Sequence, residues 1–316
     1  MKCTFPLLIV ALVFARSSIG FADESLFKRE KEIIYGRKHG LAMTLDIFQP
    51  LAKRNNRGIV FVVSGGWFSA QNQIDGMAKR LNWGALIKRG YTLFAVVHGS
   101  QPKYTIPEIR EDIHRAVRFI RHNAGDYGID PEQIGIFGGS AGGHLSLMQG
   151  TAGLDGDPDA SDTVERQSSR VQAVVSYFPP TDFLNYGGEG EHFDKYIRDL
   201  SNGKNQFLAA LDFHTYDSGQ NWYERVMDDA EVRDRLREAA PVTHVSKGDA
   251  PTLIIHGDAD KLVPIQQAHR IMPKFKAAGV EARLLVMPGK DHGWMAEPAE
   301  VKTVGEWFDK HLLESR

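Results

Sequence analysis

Gly58-Ile59-Val60-Phe61-Val62-Val63 carries no polar side chain, and a run that short without a wet face suits a strand covered on both sides of a sheet. Similar short apolar, β-branched runs follow at 91–97, 133–137, 171–177, 252–256 and 283–287. Segments of helical length separate them. Residues 73–89 read as helix, and Ile109, Ile113, Val117 and Ile120 recur at helical spacing, leaving Glu111, Arg115, Arg118 and Arg121 for the wet side. Strands alternating with helices predict a mainly parallel sheet with helices on both faces. Ahead of this rhythm, 31–35 and 41–48 alternate in polarity with Gly36 and Gly40 between them, which reads as an antiparallel pair at a sheet edge. A closing helix is expected near 297–313.

The chemistry-bearing residues lie where such strands end. Gly138-Gly139-Ser140-Ala141-Gly142 is a G-x-S-x-G sequence directly after the apolar run 133–137 and directly before helix-like residues. A strand turning sharply into a helix strains the residue at the turn and needs small neighbours, which marks Ser140 as a candidate nucleophile. The run 252–256 leads into a loop with two acids, Asp258 and Asp260, and the run 283–287 ends at Asp291-His292-Gly293. Nucleophile, acid and histidine thus come in the chain order expected when each sits on a loop at the carboxyl end of a successive parallel strand, and Ser140, Asp260 and His292 fit it. His256 ends a buried strand and His144 begins a helix, so both read as packing histidines.

The 316 residues are 42% hydrophobic and 25% charged, enough for one large α/β core. A net charge of −2 leaves no basic footprint for nucleic acid and no polybasic membrane patch. Residues 1–22 read as an export signal. Lys2 supplies the charge, 5–14 the apolar core and Gly20-Phe21-Ala22 a small-x-small cleavage site, so a periplasmic or secreted mature chain of 23–316 is expected. The apolar core is about half of the roughly 20 residues a spanning helix needs. Cys3 lies inside that signal, so no thiol, disulfide or cysteine metal site is expected in the mature chain.

Several stretches together resemble the α/β-hydrolase superfamily of carboxylesterases and lipases, related to the catalytic domain of prolyl oligopeptidases. They are 127–135 leading into Gly138–Gly143-His144, then Pro180-Thr181-Asp182-Phe183, then 256–264, then Pro288-Gly289 with Asp291-His292-Gly293. The resemblance covers roughly 30–314. It implies a mainly parallel eight-stranded sheet and a Ser140–His292–Asp260 triad, the family spacing favouring Asp260 over Asp258. It also implies an oxyanion site at Val63-Ser64-Gly65-Gly66-Trp67, where relatives usually carry His-Gly-Gly-Gly before an aromatic residue. The donors expected there are the amides of Gly65 or Gly66, with Trp67 as a further candidate, together with Ala141 after the nucleophile.

Residues 183–240 break the rhythm with no strong strand and a polar, aromatic composition, and are expected to form a cap over the carboxyl ends of the strands. Asp155-Gly156-Asp157-Pro158-Asp159 opens like a calcium loop but has Ala160 and Arg166 at the positions that need glycine and glutamate. No metal or other cofactor is expected. These readings converge on an exported serine esterase acting on small or carbohydrate-linked acyl esters. A prolyl-oligopeptidase-like peptidase or a hydrolase fold that binds without catalysis are the alternatives.

Overall fold

The computed structural model describes residues 24–200 and 207–314, so the segment 1–22 read as an export signal lies outside the described residues. Strands β1 (Phe27–Lys38) and β2 (Leu41–Pro50) meet through His39 and Gly40, at φ 48° and 78°. Two successive residues of positive φ make the tight turn whose twist matches a hairpin. Gly36 lies inside β1, at a register shift opposite Met43, and not in the turn as its spacing suggested.

The chain continues through β3 (Gly58–Val63), β4 (Thr92–Val97), β5 (Ile134–Gly139), β6 (Ala173–Tyr177), β7 (His214–Asp217), β8 (Trp222–Arg225), β9 (Thr252–Gly257) and β10 (Ala282–Met287). Eight of these form one sheet in the order β1-β2-β4-β3-β5-β6-β9-β10. β2 is antiparallel to both neighbours and the remaining pairs are parallel.

The two-residue period of the strands sorts their side chains into two cores. Val60, Val62, Ile136, Val174 and Ile254 face α3 (Ile106–His122), α5 (Ala141–Thr151) and α8 (Gln266–Ala278). Ile59, Phe61, Phe137, Val175 and Ile255 face α1 (Ile74–Arg80), α2 (Gly84–Lys88) and α9 (Pro298–Phe308). Burial on both faces is what the uninterrupted apolar runs require.

Two helical expectations need correction. The segment 73–89 is two short helices, broken where Asn82 sits at φ 51°; the break turns Trp83 inward against Phe61, ring centroids 4.3 Å apart. Arg121 is buried, not on the wet side, and its guanidinium donates to the carbonyls of Pro131, Ser168 and Arg170. Backbone carbonyls there replace the water that a buried cation would otherwise lose.

The region 183–240 holds α6 (Phe193–Leu200), a 3₁₀ turn (Leu208–Leu211), the β7–β8 hairpin and α7 (Asp229–Glu238). The sequence offers no strong strand here, and the two that form are four residues each. The hairpin's Tyr216, Trp222 and Tyr223 are exposed, so it lacks the alternation that betrays a half-buried strand. Aromatic packing joins this region to the body: Phe183 and Phe193 both lie against Trp67, with ring centroids 5.8 Å away.

Candidate active site

Ser140 links β5 to α5 at φ 56°, ψ −121°, a conformation strained for any residue with a side chain. Close backbone approaches hold it there. A Cβ at Gly138 would fall 2.5 Å from the carbonyl of Gly142, one at Gly142 would fall 2.6 Å from the Val62 oxygen, and one at Gly143 would fall 2.7 Å from the Tyr177 oxygen. Glycine at these positions is therefore a condition of the turn. The Ser140 amide donates to the Tyr177 carbonyl at 2.9 Å, completing the support.

The loops after β9 and β10 bring the other two residues to it. His292 Nε2 lies 2.9 Å from Ser140 Oγ, and His292 Nδ1 lies 2.8 Å from Asp260 Oδ2. An ionised Asp260 can only accept, so Nδ1 carries the ring proton and Nε2 accepts from the serine hydroxyl. Asp260 is buried, and its other oxygen accepts the amides of Leu262 and Val263 at 3.0 and 2.9 Å. Asp258 is committed elsewhere, accepting the Gly289 amide at 2.6 Å.

Asp291 is bonded to backbone amides, and the imidazole is bonded to Asp260. Asp291 Oδ1 accepts the backbone amides of Lys261 and His292 at 3.0 and 2.8 Å, tying the acid loop to the histidine loop. Those amides hold its carboxyl below the usual aspartate range. Adjacency to His292 was the one signal of this role in the sequence.

The packing histidines are as anticipated. His144 Nδ1 accepts the Trp67 indole N–H at 3.2 Å, so Nε2 carries the proton and donates to the Ala239 carbonyl at 2.7 Å. His256 lies 2.8 Å through Nε2 from the Val263 carbonyl and is fully buried. Burial pushes both rings down to about 4.

One oxyanion candidate is corrected. The Gly65 amide donates to the Phe68 carbonyl at 2.9 Å within a small bridge, so it is not free to bind a substrate oxygen. Gly66 and Trp67 follow at φ 58° and 59°, and their amides have no protein acceptor among the described residues. Ala141 opens α5, where an N–H lacks an intrahelical acceptor. These three residues and Ser140 line one cavity of about 20 Å³.

A second cavity, about 250 Å³, shares Gly66 and Ser140 but also touches His292, Gly293 and Arg80. Phe207 lines both, and Phe178, at φ 38° with its ring 4.6 Å from His292, lines the larger. Neither phenylalanine carried a sequence signal. Trp294 packs edge-to-face against Phe178 at 4.9 Å. Among the described residues no group of three or more His, Cys, Asp or Glu could hold a metal, and Asp155 of the calcium-like segment pairs with Arg170 at 2.8 Å.

Sheet order, strained serine junction and loop positions define the α/β-hydrolase fold. Residues 45–275 match the BD-FAE family model, and the chain belongs to that family. The probable carboxylic ester hydrolase LipM of Mycobacterium tuberculosis is 28% identical over 256 residues, 79% of this chain and 52% of LipM. The isoprenylcysteine alpha-carbonyl methylesterase ICME of Arabidopsis thaliana is 25% identical over 274 residues, 83% of this chain and 56% of that protein. The chain spans about half the length of these curated relatives. Among solved structures, a truncated carbohydrate esterase from gut microbiota superposes with a TM-score of 0.72 at 24% identity, covering 93% of this chain and 100% of that one. An acetyl ester-xyloside bifunctional hydrolase from Caldicellulosiruptor lactoaceticus gives 0.69 at 22%, covering 88% and 95%. At these identities the two structures share its fold.

Proposed function

We propose that this chain is a serine hydrolase that cleaves carboxylic esters through an acyl-enzyme, with Ser140, His292 and Asp260 as its catalytic residues. The observation that carries the reading is the hydrogen-bonded chain from Ser140 Oγ through both nitrogens of His292 to Asp260. His292 Nε2 takes the hydroxyl proton as Oγ attacks the ester carbon, and Asp260 stabilises the resulting imidazolium. The Gly66, Trp67 and Ala141 amides receive the developing oxyanion, where one such donor is worth about 3 kcal/mol. Collapse of the tetrahedral intermediate breaks the ester C–O bond, and the alcohol leaves with the proton from Nε2. Water then repeats the cycle on the acyl-serine.

Esterase names among the relatives and carbohydrate-ester names among the structural neighbours support small acyl esters as substrates, carbohydrate-linked ones included. The composition of 1–22 supports export to the periplasm or exterior. Among the described residues no helix is long and apolar enough to cross a membrane. The region 183–240 supplies a cap whose Tyr186 and Tyr196 hydroxyls donate to the Leu262 and Lys261 carbonyls on the acid loop.

The test compares the protein with Ser140→Ala on p-nitrophenyl acetate and with a fluorophosphonate probe. The expected result is loss of kcat by about 10⁴-fold or more and loss of labelling. Equal turnover by the two proteins would refute the reading, and dipeptide release with negligible ester turnover would replace it with a peptidase.

A further inference from the structure

Gly65, Gly66, Trp67 and Phe68 form a tight reverse turn closed by two hydrogen bonds. The Gly65 amide donates to the Phe68 carbonyl at 2.9 Å, and the Phe68 amide donates to the Gly65 carbonyl at 3.0 Å. Positive φ at both central residues, 58° at Gly66 and 59° at Trp67, makes it a type I′ turn. For Trp67 that conformation is strained. A type II′ turn joins the same ends with positive φ only at the first central residue, where glycine stands, and returns the second to the negative φ that a side chain prefers.

The two turns differ by a half-rotation of the peptide between Gly66 and Trp67, and the rotation decides the chemistry. That peptide is trans, so its C=O and N–H point in opposite directions. The carbonyl of Gly66 faces Gln101, whose side-chain Nε2 donates to it at 2.6 Å. The amide of Trp67 faces the other way and has no protein acceptor among the described residues; Trp67 lines the smaller cavity together with Ser140 and Ala141. Turned over, the same peptide would offer the developing oxyanion a carbonyl oxygen in place of a donor. The rotation is about the line joining the two Cα atoms, so the Trp67 indole, bound to His144 Nδ1 at 3.2 Å, does not oppose it.

Gln101 does oppose it, from a backbone that is itself fixed. The segment His98–Gln101, after β4, runs beside residues 66–69. The Gln101 amide donates to the Trp67 carbonyl at 3.2 Å, and Ser100 Oγ accepts the Ser69 amide at 2.8 Å while donating to the Ser69 carbonyl at 2.9 Å. Asp112 of α3 anchors the same segment by accepting the Gly99 amide at 2.8 Å, and pairs with Lys38 at 2.6 Å.

We infer that Gln101 is a positioning residue that locks the Gly66–Trp67 peptide in the orientation that supplies the Trp67 amide to the oxyanion. The inference rests on the ester-hydrolase reading above and adds to it a residue that acts through the turn and not on the ester.

The experiment measures kcat and KM on p-nitrophenyl acetate, and the Ki of a trifluoromethyl ketone that adds to a serine hydroxyl as a tetrahedral oxyanion. The proteins compared are the unaltered chain, Gln101→Met, Gln101→Glu and Gln71→Met, with thermal melts on each. Gln101→Met keeps the side-chain length and removes the donor. Its kcat should fall by about a hundredfold, the loss expected for one oxyanion donor, with KM changed by less than about threefold. The ketone Ki should rise by the factor by which kcat/KM falls, because both read the oxyanion. In Gln101→Glu the ionised carboxylate cannot donate but its acid form can, so its kcat relative to the unaltered protein should recover as pH falls from about 8 to about 5. Gln71→Met loses a bond of the same kind outside the turn, Gln71 Nε2 to Thr44 Oγ1 at 2.8 Å, and should keep kcat within about twofold. A kcat within about twofold of the unaltered value in Gln101→Met, a loss carried by KM alone, or an unchanged ketone Ki would overturn the inference, as would an equal loss in Gln71→Met. If Gln101→Met does not fold, the pH response of Gln101→Glu decides. Those failures leave ester turnover and fluorophosphonate labelling of the unaltered protein intact, whereas failure of the ester-hydrolase reading removes both.

Discussion

Asp291 illustrates how a residue can shape the site without touching the reacting atoms. Its carboxylate bridges the Lys261 and His292 amides, and so sets the separation between the loop that presents Asp260 and the loop that presents His292. Misplacement of the imidazole by a fraction of an ångström costs catalysis more than binding. Asp291→Ala is expected to lower kcat by about tenfold with KM little changed, and Asp291→Asn, which keeps an acceptor oxygen, to recover most of that loss. Steady-state kinetics on p-nitrophenyl acetate decide; equal defects in both variants would remove the positioning role. At this scale Ser140, Asp260 and His292 were legible because each ends a strand in a fixed chain order. That the Gly65 amide is already taken up was not, because it depends on a bridge to Phe68 that two adjacent glycines leave undetermined. Phe207 was illegible for another reason: a phenylalanine at the head of the short apolar run 207–211 says nothing about which backbone it will lie against.

Elements that are buried on both faces announced themselves, while those that are not stayed hidden. β3 and β4 were visible as unbroken apolar runs, but the β7–β8 hairpin pairs polar residues such as Thr215 with Glu224 and buries no face of its own. The break between α1 and α2 was equally hidden, since Trp83 satisfies a helical apolar pattern while requiring a change of direction at Asn82. The β5–α5 junction offers the sharpest test of an element-level claim. Gly138→Ala would press a methyl onto the Gly142 carbonyl, backbone against backbone, with no flexible side chain to give way. It should cost about 3 kcal/mol, lowering Tm by roughly 6 °C or more, and should displace Ser140 enough to abolish most ester turnover. Gly125→Ala in α4 (Ala124–Tyr127) meets nothing within 4 Å and should leave Tm unchanged or slightly raised. Equal melting of the two variants would show that the β5–α5 turn does not depend on that close approach.

At the scale of the whole molecule, four histidines outside the triad are buried among the described residues, and they give its stability a pH dependence of determinate sign. Burial pushes His98, His144 and His256 from 6.5 to about 4 and His114 to about 3. Three of them resist a second proton for a visible structural reason. His144 Nδ1 is already occupied by the Trp67 indole, while His98 Nε2 and His256 Nδ1 are buried with no partner among the described residues to accept a new N–H. Between pH 6.5 and 4 the unfolded chain therefore binds protons at these sites that the native state does not. Unfolding free energy rises with pH across that window, is fully present above 6.5 and declines as pH falls toward 4. Asp112 and Glu300, raised by burial above their usual carboxyl ranges, bind protons preferentially in the native state and oppose the trend just above those ranges. Their effect is outweighed by the four imidazoles nearer pH 6, so the urea midpoint should fall between pH 7 and pH 5. His114→Gln, remote from the triad and facing Ser169 at 3.0 Å, removes one such site and should flatten the slope by up to about 1.4 kcal/mol per pH unit. A midpoint flat from pH 7 to 5, or a His114→Gln slope equal to that of the unaltered protein, would contradict this account. Tyr186 and Phe193 of the region 183–240 share one core cluster with Ile113 and Val174, and His144 packs against Trp67 and Phe183 beside them. The acid transition should therefore take the region 183–240 and the sheet together, with ester turnover and tryptophan fluorescence lost at the same pH.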